Sequence, residues 1–69
     1  MDRNKLGRII QNRRIALSLN QKDVAEMAGM TIKTIYAIEN NKGNPTIQAF
    51  LKLLEVLGLD ISIQIKTIE

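Results

Sequence analysis

The chain of 69 residues contains no cysteine, no histidine and no tryptophan. Without cysteine it can form neither a disulfide nor a thiolate metal site, and without histidine it lacks the usual acid–base group of neutral pH. No catalytic nucleophile–base pair, no metal-ligand cluster and no paired acids can be assembled from the residues present, so we expect neither an enzyme nor a metal or cofactor site. One Phe, one Tyr and one Pro leave the core to Leu, Ile, Val, Ala and Met. No apolar run approaches the ~18 residues of a membrane span. Asp2, Arg3 and Lys5 at the front are unlike a secretory leader. These features predict a soluble, cytoplasmic protein without membrane association. A chain of this size makes one domain that buries only roughly 60% of its unfolded surface, so a partner subunit is a natural source of stability.

What is present is an uneven charge. Residues 1–42 carry Arg3, Lys5, Arg8, Arg13, Arg14, Lys22, Lys33 and Lys42 against Asp2, Asp23, Glu26 and Glu39, a net +4 in a chain whose total is +3, so the remainder carries −1. Residues 43–69 carry Lys52 and Lys66 against Glu55, Asp60 and Glu69. A basic front and a near-neutral back suit a molecule with one side toward a polyanion.

The apolar spacing predicts four helices. The first spans about residues 2–18, with Leu6, Ile9, Ile10, Ala16 and Leu17 on its stripe. Asn20, with Asp23 three residues on, opens a second at 21–28 that buries Val24, Ala25 and Ala28. Gly29 ends it, and Thr31 caps a third at 32–39 with Ile35 and Ile38 inward. A joint of three residues holds these two helices at a steep angle. Residues 40–45 form a loop, and Thr46 caps a fourth helix at 47–57 before Gly58. Ile47, Phe50, Leu51, Leu54 and Leu57 make its inner stripe, and Leu53 and Val56 widen it beyond the needs of one small core.

Beyond Gly58 the residues alternate strictly, Ile61-Ser62-Ile63-Gln64-Ile65-Lys66, with every apolar one β-branched. That pattern predicts a strand, and a single strand leaves its backbone groups unpaired. A second copy of the chain is the economical partner. An antiparallel pair across a two-fold axis would place Ile61, Ile63 and Ile65 over Leu53 and Val56 as the dimer interface. The expected fold is mainly α: a helix-turn-helix unit over residues 1–58, followed within the same domain by a dimerisation strand over 59–69.

Residues 20–40 resemble the helix-turn-helix of the phage repressor/Cro family, also called the XRE family, at Gln21, Ala25, Gly29, Thr31, Ile35, Ile38 and Glu39. Leu6-Gly7, Ile10 and Arg14 fit that family's first helix, and Pro45-Thr46, Phe50, Leu51, Leu53 and Leu57-Gly58 fit its fourth. The resemblance implies a homodimer that binds double-stranded DNA in the major groove and represses transcription from a palindromic operator. By the same analogy Gln21 and Thr31 contact the DNA backbone, in addition to any role in starting their helices. Ile32, Lys33 and Ala37 line the groove, Lys33 meeting either a guanine edge or a phosphate. Thr34, Tyr36, Asn40 and Lys42 reach phosphates, with partial packing on the second helix as the other reading of Tyr36. Arg14 and Glu39 form a partly buried structural salt bridge, Met27 and Met30 pack, and Arg8 and Arg13 are solvated. The C-terminal strand and the phrase Leu57-Gly58-Leu59-Asp60-Ile61-Ser62-Ile63 look like HipB-type antitoxins. That likeness implies autoregulation and a kinase-like toxin as partner. The alternative is a protein–protein interaction module on the same fold without DNA binding.

Overall fold

A computed structural model of the chain describes residues 3–66. The expected helix start at residue 2 and the last expected strand residues, 67–69, lie outside them. Four helices follow in order: α1 (Arg3–Ala16), α2 (Gln21–Ala28), α3 (Ile32–Glu39) and α4 (Ile47–Val56). The middle pair coincides with the expected ranges. The first ends two residues early, because Leu17 and Ser18 form a turn.

Side chains fix the starts. Asn20 Oδ1 accepts from the Asp23 amide at 2.7 Å while Asp23 Oδ2 accepts from the Asn20 amide at 3.1 Å, a reciprocal pair that satisfies two otherwise orphaned donors. Thr31 Oγ1 accepts from the Thr34 amide at 3.1 Å, and Thr46 Oγ1 from the Ala49 amide at 3.0 Å.

The ends share one device. After each helix a residue takes a left-handed conformation: Ser18 (φ 59°), Gly29 (φ 67°), Asn41 (φ 57°) and Gly58 (φ 67°). The next amide then reaches back to a carbonyl of the last turn, Leu19 to Arg14 at 3.2 Å, Met30 to Ala25 at 2.8 Å, Lys42 to Ala37 at 2.8 Å and Leu59 to Leu54 at 2.8 Å. These backbone bonds close the helix termini and set the exit direction of the chain. Gly29 takes the conformation without steric cost at the joint that orients α3 against α2.

The core sits where α2 packs on α3 and α4, and where α1 packs on α3. Ile10, Val24, Ile35, Leu53 and Leu57 are fully buried, joined by Ala25, Ile38 and Leu54. Each buried Val, Leu or Ile among them contributes about 1.5–3 kcal/mol of burial free energy. The inner stripe of α4 is therefore Phe50, Leu53, Leu54 and Leu57. Leu53, expected on the outer side, is enclosed by the chain's own core. Ile47 (73% exposed) and Leu51 (45%) point outward instead, since the stripe runs one position round the helix and the first turn overhangs the core. Ile9 and Leu17, expected inward on α1, are exposed as well, because Leu6, Ile10 and Arg14 share the inner face. Met27 is exposed, and only Met30 packs against the core.

Residues 61–66 form no ladder in the single chain, and no strand pair occurs among the described residues. A ladder needs two strands, and the expected strand has no second one beside it among the described residues. Ile63 and Ile65 are consequently 94% and 98% exposed. Beside them, Leu6, Ile9, Phe50, Leu54, Leu59 and Ile61 line a small apolar groove.

Candidate nucleic-acid interface

Ile35 and Ile38 pin α3 to the core, and this fixes which of its residues face solvent. Ile32, Lys33 and Tyr36 stand exposed, Tyr36 more than half so in place of the partial packing on α2 that was its other reading, and Thr34 and Ala37 are half-buried beside them. Lys33, Thr34 and Ala37 join Lys42, Gly43, Asn44 and Pro45 around one shallow depression. The helix and the following loop thus form one surface. Gly43, Asn44 and Pro45 were not among the residues expected there. Their only sequence signal is membership of the loop.

The polar residues divide by what already holds them. Thr31 and Thr34 lie 3.0 Å apart through their hydroxyls at the opening of α3. Asn40 donates its side-chain amide to the Tyr36 carbonyl at 2.8 Å, closing the end of the same helix. Lys33 and Lys42 are exposed, as is Lys22 in the first turn of α2 next to Gln21. The outer face of this helix pair is therefore rich in amine donors, and the positive ends of two helix dipoles add to it.

Behind that face lies a charged pair. Arg14 of α1 grips Glu39 of α3 through Nε–Oε2 at 2.7 Å and Nη2–Oε1 at 2.9 Å, with the Glu39 side chain wholly buried. Arg14 Nη1 also donates to the Leu19 carbonyl at 3.0 Å. The hydrogen bond to Glu39, aided by its charge and opposed by burial, raises the Arg14 pKa further above its ordinary value. Bidentate geometry and full pairing offset the desolvation that a buried carboxylate incurs. Gln21, on α2, donates Nε2 to the same Glu39 Oε1 at 3.2 Å. The structure thus links Gln21 to a pair that sequence reading treated as separate from it. Arg13, expected to be solvated, instead donates Nε to the Leu57 carbonyl at 2.8 Å and closes the end of α4. Arg8 is exposed as expected. No group of three or more acidic side chains that could hold a metal occurs among the described residues, and no helix there is long and apolar enough to cross a membrane.

Comparison with known proteins places this architecture. The Helix-turn-helix family matches residues 10–64. The HTH-type transcriptional regulator PuuR of Escherichia coli (strain K12) is 38% identical over 56 residues, 81% of this chain. The match covers 30% of PuuR, so the chain spans under a third of the length of that relative. Among solved structures, the restriction-modification controller protein C.AhdI from Aeromonas hydrophila superposes with a TM-score of 0.78 at 25% identity, covering 86% of this chain and 89% of that one. A chain of the HipA-HipB-O2-O3 complex superposes with a TM-score of 0.82 at 25% identity, covering 97% and 94%. With its capped α2, glycine joint and exposed α3 in this arrangement, the chain belongs to the XRE-type helix-turn-helix family.

Proposed function

We propose that the chain binds double-stranded DNA sequence-specifically as a homodimer and represses transcription from a palindromic operator. The observation that carries this reading is the single surface built by α3 and the 40–45 loop, with Lys33 and Lys42 exposed on it. Laid in the major groove, α3 directs Ile32, Lys33 and Ala37 at base edges, Lys33 as donor to guanine and the apolar pair against thymine methyls. Gln21, Thr31, Thr34, Tyr36, Asn40 and Lys42 flank it and serve the phosphates. Their intrachain hydrogen bonds leave room for this role, since an amide or hydroxyl carries more than one bonding position.

Dimerisation uses residues 59–69. Ile61, Ile63 and Ile65 pair antiparallel with a second copy and cover Val56 and the apolar groove between α1 and α4. Leu53 supports that surface from inside the core. This gives the exposed isoleucines an apolar partner and the backbone its missing ladder. The superposition with a chain of the HipA-HipB-O2-O3 complex extends across 97% of this chain, which favours a second reading in addition: an autoregulating antitoxin that also holds a second protein, a kinase-like toxin.

Equilibrium binding to duplex DNA over a range of salt concentrations tests the reading. Affinity should fall linearly in log–log form, with a slope that reflects the phosphates engaged. An affinity too weak to measure at low salt, with the protein folded, would leave the interaction-module alternative in its place.

A further inference from the structure

We propose that Glu39 is a positioning residue for the DNA contact made by Gln21, and that Arg14 makes this possible by cancelling the carboxylate's charge. The proposal rests on the reading of Gln21 as a phosphate contact.

Three donors converge on one buried carboxylate. Arg14 supplies two of them, and the third is Gln21 Nε2, at 3.2 Å from Oε1. A carboxylate only accepts, so the Gln21 atom that meets it must be the nitrogen. This settles which way round the amide sits. One of its two hydrogens is spent on Glu39, which leaves the second for another acceptor, and the residue is half-buried. Gln21 opens the first turn of α2, where backbone amides lack partners within the helix and the dipole favours an anion. A glutamine left unheld samples many rotamers and loses that freedom on binding; here the ordering occurs during folding.

Glu39 alone would defeat the purpose. An unpaired carboxylate next to a phosphate site repels the phosphate, and burial in a low dielectric strengthens the repulsion. The bidentate Arg14 guanidinium removes that charge and holds the carboxylate plane fixed. The salt bridge therefore does more than join α1 to α3: it offers Gln21 a neutral, rigid acceptor.

The test is a comparison of Gln21→Ala in two backgrounds, the natural chain and a chain with Arg14→Leu and Glu39→Leu together. Replacing both members of a buried pair by apolar residues is commonly tolerated, and a thermal melt checks it. Binding of a mixed-sequence duplex at low salt is measured in each. In the natural chain Gln21→Ala should weaken binding about tenfold, and in the leucine background by less than about twofold. An equal loss in both backgrounds means that Gln21 binds without help from Glu39, and overturns the proposal. No loss in the natural chain overturns the phosphate reading on which it rests. Relaxation of side-chain amide groups in the DNA-free natural protein is independent of any variant's folding. Gln21 should be ordered, and motion as free as that of exposed Gln48 would also refute the positioning role.

Discussion

Gly7 donates its backbone amide to Asn41 Oδ1 at 2.9 Å, which ties the second turn of α1 to the second residue past α3. The two segments approach so closely that a Cβ on Gly7 would lie 2.7 Å from the Ile38 carbonyl oxygen and against that of Glu39. In an exposed helix, glycine to alanine stabilises. Here the sign reverses, because the neighbours are backbone and cannot step aside. Gly7→Ala should cost about 2 kcal/mol and lower the Tm by roughly 10 °C. An unchanged Tm would show that α1 can shift away without loss.

Asn41 and Ser18 share a left-handed conformation but predict opposite outcomes for the same substitution. Ser18 is exposed and does nothing that glycine could not. Ser18→Gly should raise stability by up to about 1 kcal/mol by relieving the left-handed strain. Asn41→Gly gains the same relief but removes the bond that joins the Gly7 amide of α1 to the loop after α3, and should lower stability by about 1 kcal/mol net. Urea unfolding midpoints of the two variants decide it, and a shift in the same direction for both would remove the Gly7–Asn41 bond from the account.

The Arg14–Glu39 pair is stabilising only while both members are present. Glu39→Ala leaves a largely buried guanidinium without its counter-charge, held only by the Leu19 carbonyl, and should cost about 3–5 kcal/mol, close to the whole stability of a domain this small. The paired leucine variant should recover most of that loss. If Glu39→Ala melts like the natural chain, the pair is screened by solvent that the geometry does not indicate.

Much of this was legible in the sequence because local chemistry and apolar spacing agree. Asn20 with Asp23, Gly29, Thr31 and Thr46 mark helix boundaries through short-range hydrogen bonds, and α2 and α3 fall where those residues put them. What was not legible depends on contacts far apart in the chain. The inner face of α4 shifted from Ile47 and Leu51 to Leu53 because both sides of the helix are apolar, and periodicity cannot choose between two apolar faces. The roles of Arg13 at the Leu57 carbonyl and of Gln21 at Glu39 come from pairs 44 and 18 residues apart. The isoleucine alternation of residues 61–66 signals a strand, but the single chain forms no ladder there, and the proposed pairing rests on a second copy.

Shortening the tail should separate folding from the proposed association. Cutting after Asp60 keeps Leu59, whose amide closes α4 at the Leu54 carbonyl and whose side chain packs on the core. The shortened chain should stay folded and sediment as a monomer, and Ile63→Asp with Ile65→Asp should do the same, since both residues are exposed in the single chain. A dimer that survives both changes would place the interface elsewhere.

Lys33 and Gln21 should fail differently. Lys33→Ala should cost about 1–3 kcal/mol on the preferred sequence and relax preference at one base position, whereas Gln21→Ala should weaken every sequence alike. Competition binding with duplexes varied one base pair at a time distinguishes them. A uniform loss for Lys33→Ala would reassign that residue to a phosphate.

The most direct test of DNA recognition by a two-fold dimer is selection of bound duplexes from a random pool at near-physiological salt. The account predicts enrichment of an inverted repeat with half-sites about one helical turn (~10 bp) apart. Recovery of no common sequence by the folded protein would contradict it.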